Sequence, residues 1–281
     1  MLSESTIESW LQADLGHHDV TNDVPGTCDG RLVATESGVA AGLDAAVRVF
    51  DSLGVDAAPL VDEGDRVRDG DAVLETSGPA QATLRGERVA VNVAGHASGV
   101  ATRTRSAVDA ARDAIADAAP EVTALGATDD VAIAATRKTT PGLRGVEKRA
   151  VVAGGGDTHR LDLSHMVMVK DNHIAELGLE AAVRRFTERT SFATQVEVEV
   201  ESPAQAERAA AAGADIVLLD NMDPETTRAG VEALPDDTLA EASGGITISD
   251  VPAYATTGVD VISMGSLTHS APALDYSFRI G

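Results

Sequence analysis

The sequence has few of the residues on which several classes of protein depend. Its 281 residues include one cysteine, Cys28, and seven aromatic side chains. A single cysteine excludes an intramolecular disulfide and a cysteine-based zinc site, and so few aromatics leave no stacking platform for single-stranded nucleic acid. No apolar run reaches the length of about 18 residues that a membrane-spanning helix needs. The first residues lack the basic and apolar stretches of a signal peptide, so we expect a soluble, cytoplasmic protein.

Basic residues are also scarce. Lys and Arg total 22 against 45 Asp and Glu, a net charge of −23. Such a surface repels phosphate backbones and anionic lipid, so we expect no nucleic-acid and no membrane partner. An acidic chain with only three lysines is typical of adaptation to high salt, and all three lie between Lys138 and Lys170. The stretch 137–170 carries seven basic and three acidic residues, which predicts either a site for an anionic ligand or a surface cluster of salt bridges.

The first part of the chain has the pattern of a small α/β domain. Apolar residues at helical spacing predict a helix in residues 1–15 and another near Leu43–Ser52. Short β-like runs occupy residues 32–34, 72–74 and 81–84. The segment Glu63–Leu74 resembles the hammerhead strands of biotinyl and lipoyl carrier domains. A carrier needs a lysine at a hairpin tip, however, and no lysine precedes Lys138, so we interpret this segment as structural.

The second part alternates regularly between strand and helix. A helix is predicted over Glu87–Arg112, and the acidic stretch Asp113–Asp130 follows as a solvated helix end or loop. Predicted strands lie at residues 131–135, 166–169, 195–200, 215–219, 238–242 and 259–264, and predicted helices at 147–153, 179–188, 203–212, 224–234 and 248–256. This alternation indicates βαβ units around a parallel sheet. Six or more strands favour a barrel over an open doubly wound sheet, and no G-x-G-x-x-G joins a strand to a helix.

Charged and glycine-rich groups follow the predicted strands, at the end where β/α barrels carry their chemistry. They are Arg137, Lys138, Lys170–His173, Glu199, Glu201, Asp220, Asn221, Ser243–Gly245, Gly265 and Ser266. The carboxylates suit Mg²⁺ or sugar hydroxyls, and glycine-rich turns that lead to helices suit a phosphate. The cations suit a small ligand rich in carboxylate and phosphate. Each group alone is also compatible with a helix cap, so these residue types indicate ligand classes but not a reaction.

Longer motifs resemble those of quinolinate phosphoribosyltransferases. The most specific are Ala135–Arg144, Glu147-Lys148, Gly154–Gly156, His159-Arg160 and Val169–His173, and further ones are Gly86–Asn92, Ser98-Gly99, Val196–Glu201, Leu218–Asn221, Glu241–Ile246 and Met264–Ser270. The resemblance covers nearly the whole chain from Leu11 onward. It departs from the family pattern at Thr158, where Asn or Ser is expected, and in the long acidic connection 113–130.

The resemblance implies a fold, a reaction and an assembly. The α/β fold would be an N-terminal α/β sandwich over residues 1–105, on which segment 271–281 packs, and an incomplete, seven-stranded β/α barrel over 106–270. The reaction would transfer phosphoribosyl from phosphoribosyl pyrophosphate to quinolinate with decarboxylation. Its products are nicotinate mononucleotide, CO₂ and pyrophosphate, formed in NAD biosynthesis with Mg²⁺ and no organic cofactor. The assembly would be a homodimer, or a hexamer built as a trimer of dimers.

The resemblance also assigns roles to single residues. Quinolinate would be bound by Arg88, Arg137, Lys138, His159, Arg160 and Lys170. Phosphoribosyl pyrophosphate would be bound by Lys138, Lys170, Glu199, Asp220, Ser243, Gly244, Gly245 and Gly265. The catalytic residues would be Lys138, Lys170, Glu199 and Asp220, of which Glu199 and Asp220 would hold Mg²⁺ directly or through water.

Arg88 would reach the site of the adjacent subunit, and the alternative is an ion pair with Glu87 of the same chain. Two other functions stay open. One is a nicotinate phosphoribosyltransferase on the same scaffold, and the other is a relative that uses a different acid or has no catalytic activity.

Overall fold

The computed structural model describes residues 2–118 and 131–281. Contacts divide the chain into two compact units. The first holds Met1–Arg105, Thr139–Gly155 and Leu267–Gly281, and the second holds Ser106–Lys138 and Gly156–Ser266. The predicted acidic connection 113–130 lies outside the described residues from 119 onward. Within the residues that are described, no helix is both long and apolar enough to cross a membrane.

The secondary structure follows the predicted alternation. The elements up to residue 117 are α1 (Glu4–Leu15), β1 (Thr27–Ala34), β2 (Gly38–Val39), α2 (Leu43–Asp51), β3 (Asp56–Pro59), β4 (Arg66–Val67), β5 (Ala72–Pro79) and α3 (Ala80–Asp117). From residue 132 they are β6 (Ala132–Ala134), α4 (Arg144–Ala153), β7 (Val167–Val169), α5 (Asp171–Leu177), α6 (Leu179–Thr187), β8 (Val196–Val200), α7 (Pro203–Ala211), β9 (Ile216–Asp220), α8 (Pro224–Glu232), β10 (Leu239–Ser243), α9 (Val251–Ala255), β11 (Val261–Ser263), α10 (Ser266–His269) and β12 (Tyr276–Ile280).

An antiparallel sheet forms the centre of the first unit. Its strand order is β12-β1-β5-β3, and β2 pairs with β4 in a second, two-stranded sheet. Helix α2 places Leu43, Ala46 and Phe50 on one side at helical spacing, and all three are buried. The Phe50 ring stacks on Phe278 of β12 with ring centroids 5.7 Å apart. Burial of a leucine or phenylalanine side chain contributes about 2–3 kcal/mol, so α2 adds substantially to the apolar core of this unit.

One predicted strand of this unit is wrong. Residues 81–84 are the first turn of α3, which begins at Ala80 directly after β5. Gln, Leu and Arg are good helix formers, and the Thr83 hydroxyl donates a hydrogen bond to the Pro79 carbonyl at 3.1 Å, within the first helical turn. Four residues are too few for alternation to separate a strand from a helix start. The predicted helix that begins at Glu87 therefore begins seven residues earlier.

The second unit is built on a parallel sheet. Six strands pair in the order β6-β11-β10-β9-β8-β7, and each lies within one residue of a predicted run or inside it. Valines of β8 on one face (Val196, Val198 and Val200) belong to a buried cluster with Leu179 and Val183 of α6. Because successive side chains of a strand alternate between faces, Glu197 and Glu199 point to the opposite face. That face carries the candidate site.

A seventh position of this sheet is a single residue. Asp157 forms an isolated parallel bridge with Ala134 of β6. Its N–H donates to the Ile133 carbonyl at 2.8 Å, and its carbonyl accepts from the Ala135 N–H at 3.0 Å. Three glycines precede Asp157, and His159 has a φ of +50°, so the extended run cannot lengthen on either side. The described residues thus contain six full strands and one bridging residue where seven strands were expected.

Candidate active site

Two guanidinium groups lie close together at the start of the sheet. Arg137 and Lys138 directly follow β6, in a turn where the Lys138 N–H donates to the Thr136 hydroxyl at 3.0 Å. Arg160 follows the Asp157 bridge, is only 7% exposed, and donates from Nε to the Asp162 carbonyl at 3.2 Å. Burial and the charge of Arg137 lower the pKa of Arg160, against the opposing effect of Glu197 and Asp162. Two like charges at a partly desolvated position favour an anion between them.

A lysine and a carboxylate meet at the ends of the next two strands. Lys170 follows β7 and is the N-cap of α5, and its N–H donates to His173 Nδ1 at 3.0 Å. Its Nζ donates to Glu199 Oε2 of β8 in an ion pair. The Lys170 side chain is 44% exposed and that of Glu199 is 17% exposed. The pair is therefore open to a ligand from the lysine side.

A histidine and two buried glutamates lie on the same face of the sheet. His159 Nε2 shares a hydrogen bond with Glu241 Oε2 at 2.9 Å and lies 3.5 Å from Glu197 Oε2. The two glutamates are 1% and 0% exposed. Burial, and then the carboxylate of Glu241, raise the pKa of Glu197 to about 8, against the lowering effects of His159, Lys170 and Arg160. One ligand atom from each of the three residues lies within 4.8 Å of the others, a spacing that a metal ion could also bridge.

Sequence reasoning gave these two glutamates no role. Their segments entered only through the family resemblance. A signal was present, because strands covered on both faces are nearly continuous apolar runs. Glu241 interrupts such a run in the middle of β10, and Glu197 is a buried acid in β8, where valine and glutamate alternate.

The next two strand ends form one connected backbone site. Asp220 and Ser243 are register partners at the ends of β9 and β10. Asn221 has a φ of +53°, donates from Nδ2 to Asp220 Oδ2 at 2.6 Å, and donates from its N–H to the Ser243 carbonyl at 3.0 Å. Gly244 has a φ of +101°, and a Cβ there would lie 2.5 Å from Asn221 Oδ1. Only glycine fits this approach.

The glycine-rich turns lead into helices less directly than predicted. Helix α9 begins at Val251, several residues after Gly245, so the first turn does not open directly into a helix. Gly265 leads at once into α10, which has only four residues. The hydroxyl of Ser266 is buried, and no hydrogen-bond partner for it occurs in the described parts of the chain. Backbone N–H groups, more than a helix dipole, are therefore the groups that these turns offer to an anion.

The remaining predicted residues are exposed. Arg88 lies on α3 in the first unit, with 60% of its side chain exposed and Nη2 3.6 Å from Glu87 Oε1. The ion pair with Glu87 is thus present, although a pair this exposed contributes little to stability. Glu201 is exposed, and its N–H donates to Gln205 Oε1 at 2.8 Å at the start of α7.

Comparison with known proteins shows the family of the chain and agrees with the fold. Residues 19–98 match the model of the quinolinate phosphoribosyl transferase N-terminal domain, and residues 100–279 match that of the C-terminal domain. The chain belongs to the quinolinate phosphoribosyltransferase family. This family therefore accounts for both units of the fold and for the motifs that carry the resemblance.

Relatives of this family match over nearly their whole length. A probable nicotinate-nucleotide pyrophosphorylase [carboxylating] from Methanothermobacter thermautotrophicus is 44% identical over 98% of this chain and 97% of its own. The nicotinate-nucleotide pyrophosphorylase [carboxylating] of Homo sapiens is 41% identical over 98% and 90% of the two chains. The crystal structure of NadC from Streptococcus pyogenes, 38% identical, superposes with a TM-score of 0.87 over 99% of this chain and 95% of that one. The family assignment thus extends to the whole chain.

Proposed function

We propose that this chain transfers the phosphoribosyl group of phosphoribosyl pyrophosphate to quinolinate, with loss of CO₂, and so makes nicotinate mononucleotide and pyrophosphate for NAD biosynthesis. The observation that carries this proposal is the buried Arg160, which feels the charge of Arg137 and which, with His159 and Lys170, acts on the buried carboxylate of Glu197. Such a cluster suits a small ligand with two carboxylates. The relatives are named for the reverse direction of this reaction, in which the nucleotide is carboxylated.

Quinolinate is held, in this proposal, by its two carboxylates. Arg137 and Arg160 bind one or both of them through paired N–H groups, a geometry that guanidinium offers and lysine does not. Lys138, His159 and Lys170 complete the set. Because Arg137 lowers the pKa of Arg160, the two arginines repel each other in the free protein. A bound dianion relieves that repulsion, which adds to its affinity.

Phosphoribosyl pyrophosphate occupies the following strand ends. Backbone N–H groups of the turns at Ser243–Gly245 and Gly265 bind the 5′-phosphate. The carboxylates of Glu199 and Asp220 accept hydrogen bonds from the ribose hydroxyls. Lys138 and Lys170 face the pyrophosphate. The exposed side of Lys170 allows it to contact this substrate while its ion pair with Glu199 fixes its direction.

Glu199 and Asp220 are also the residues that would hold Mg²⁺. They are carboxylates on the neighbouring strands β8 and β9, and carboxylate oxygens are the ligands that this hard cation prefers. When bound, Mg²⁺ supplies positive charge to the departing pyrophosphate. The protein's own contribution is to hold both carboxylates on neighbouring paired strands, and the Asn221 amide donates to Asp220.

The chemistry then requires alignment more than covalent help from the protein. The pyridine nitrogen forms a bond to C1′ while the bond from C1′ to the pyrophosphate oxygen breaks, and the lysines offset the charge on that oxygen. The nitrogen is now positively charged. It stabilises the electron pair left on C2 when the 2-carboxylate leaves as CO₂, and a proton from water then takes its place. No organic cofactor is part of this scheme, because the positive charge of the ring nitrogen itself stabilises the electron pair on C2.

Assembly and cellular setting complete the proposal. The chain acts as a homodimer, or as a hexamer of three dimers, in which Arg88 reaches the neighbouring subunit's site. Its position on an exposed face of α3 supports this role. Both substrates are highly charged and do not cross membranes, which supports a cytoplasmic location. The net charge of −23 supports function at high salt.

The test is release of labelled CO₂ from carboxyl-labelled quinolinate. We expect release only when phosphoribosyl pyrophosphate and Mg²⁺ are both present, with one nicotinate mononucleotide formed per CO₂. Arg160→Ala should abolish release at low quinolinate, while Arg185→Ala, an exposed arginine on α6, should not. Consumption of nicotinate without CO₂ would instead indicate a nicotinate phosphoribosyltransferase. Absence of turnover with either acid would contradict the proposal.

A further inference from the structure

The pair formed by His159 and Glu241 has a geometry that the proposed reaction does not yet use. We propose that Glu241 is a positioning residue: its buried carboxylate holds the Nε2–H of His159, so that the imidazole meets the acid substrate through Nδ1. The inference rests on the proposed function, since it concerns how His159 faces quinolinate. It assigns a role to a residue that contacts no substrate itself.

The backbone around His159 is constrained before the ring is considered. Its φ of +50° lies in the left-handed region, which residues other than glycine adopt infrequently. Its N–H donates to Asp157 Oδ1 at 2.5 Å, and Asp157 in turn bridges to β6 through two backbone hydrogen bonds. A strained backbone held in this way restricts the directions open to the imidazole. The bond to Glu241 then fixes the ring itself.

The carboxylate of Glu241 does little else. Its Oε1 is buried and has no hydrogen-bond partner in the described residues, and the same is true of both oxygens of Glu197. An acid buried in this way destabilises a fold relative to an apolar side chain of similar volume. The hydrogen bond with His159 at 2.9 Å is therefore our explanation for a glutamate at this buried position.

A second buried glutamate in the chain shows what a structural acid looks like. In the first unit, Glu147 is 0% exposed and accepts from His96 Nε2 at 2.9 Å, the same distance as in the Glu241 pair. Its two oxygens also accept from the Thr140 N–H at 3.3 and 3.1 Å. Burial alone raises the pKa of Glu147, but these hydrogen bonds hold it below its ordinary value. Glu147 is satisfied on both oxygens, whereas Glu241 has one oxygen without a hydrogen-bond partner among the described residues.

The test compares three variants of the full chain in steady-state kinetics and thermal melts. Glu241→Leu removes the acceptor at similar volume, so KM for quinolinate should rise roughly ten- to a hundredfold, the usual cost of a misplaced group, with KM for phosphoribosyl pyrophosphate nearly unchanged. The melting temperature should change little, because relief from a buried acid opposes the loss of its hydrogen bond with His159. Glu241→Gln keeps an oxygen acceptor and should restore KM to within about threefold of wild type. Glu197→Gln, on the neighbouring acid, should also stay within about threefold.

A spectroscopic readout separates failure of this inference from failure of the proposed function. In ¹⁵N–¹H spectra of the histidine side chains, the His159 signal should show the proton on Nε2, and Glu241→Leu should remove that preference. This result does not need turnover. Three results would overturn the assignment. KM for quinolinate could rise equally in Glu197→Gln, or Glu241→Leu could lower the melting temperature with no change in KM. The third is a His159 signal that Glu241→Leu leaves unchanged. One tightly bound metal ion per chain, measured by elemental analysis and lost in Glu241→Leu, would also overturn it.

Discussion

Replacement of Glu197 by Gln should change how stability depends on pH. The pKa of Glu197 is raised from 4.5 to about 8, by burial first and by the carboxylate of Glu241 second. An acid with a raised pKa binds its proton more tightly in the folded state than in the unfolded state. Folding stability from this group is therefore full below pH 4.5 and is lost as the pH rises towards 8. Glutamine does not titrate, so the variant should gain stability relative to wild type over this window.

The size of the effect can be worked from the shift. Each pKa unit corresponds to about 1.4 kcal/mol, and Glu197 is 0% exposed, so water does not screen it. Between roughly pH 5 and pH 8 the free energy of unfolding of wild type should fall by on the order of 3–4 kcal/mol relative to Glu197→Gln. The many exposed carboxylates are common to both proteins, so their contribution cancels when the free energies of unfolding of the two proteins are subtracted.

The assay is urea unfolding of both proteins at several pH values between these limits, at fixed KCl. The difference in the free energy of unfolding should grow steadily with pH, and it should persist at roughly 2 M KCl because salt screens buried charges far less than exposed ones. A difference that stays constant from pH 5 to pH 8 would refute the reasoning. A difference that disappears in high salt would show that Glu197 is exposed to solvent.

Four further outcomes are expected. Arg160→Ala should weaken quinolinate binding by about 2–5 kcal/mol and leave phosphoribosyl pyrophosphate binding nearly unchanged; calorimetry showing equal losses would contradict the assignment. The melting temperature should rise between roughly 0.2 and 2 M KCl as self-repulsion is screened, and a flat profile would exclude adaptation to salt. Arg88→Ala and Lys138→Ala should each be inactive, yet a mixture of the two variants should recover about a quarter of wild-type activity after subunit exchange. If the exchanged mixture shows only background activity, Arg88 acts in its own subunit's site or in none. Gly244→Ala should abolish binding of phosphoribosyl pyrophosphate, measured by equilibrium dialysis, because its Cβ would lie 2.5 Å from Asn221 Oδ1.

The sequence predicted the second unit better than the first. Strands such as Ile216–Asp220 are short apolar runs between helices with clear caps, and tertiary structure has little reason to override such a pattern. The prediction for residues 81–84 is wrong because four residues carry no usable periodicity; in the structure the Thr83 hydroxyl bonds back to the Pro79 carbonyl within the first helical turn. The bridge at Asp157 could not be predicted, since one residue leaves no pattern at all.

The residues of the candidate site also fall into two groups, those that the sequence predicts and those that it does not. Residues that follow strands, such as Lys170 and Asp220, could be located because the strand pattern itself marks where each strand ends. Glu197 and Glu241 act from the middle of strands, where sequence reasoning expects apolar side chains. Their importance comes from a long-range contact with His159, more than 35 residues away in the chain. Only the three-dimensional pairing of β8, β9 and β10 brings them together.

Because the chain has only three lysines, few of its side chains can react with amine-directed reagents. Lys148 is only 3% exposed, whereas Lys138 is exposed and the Lys170 side chain is 44% exposed. A limiting amount of an acylating reagent therefore has, besides the chain's terminal amine, two accessible targets, and both belong to the proposed catalytic set. Coupling to an amine-reactive support should inactivate the protein, and a bound substrate should protect it. Labels meant to leave activity intact are better directed to carboxylates, which the surface has in abundance.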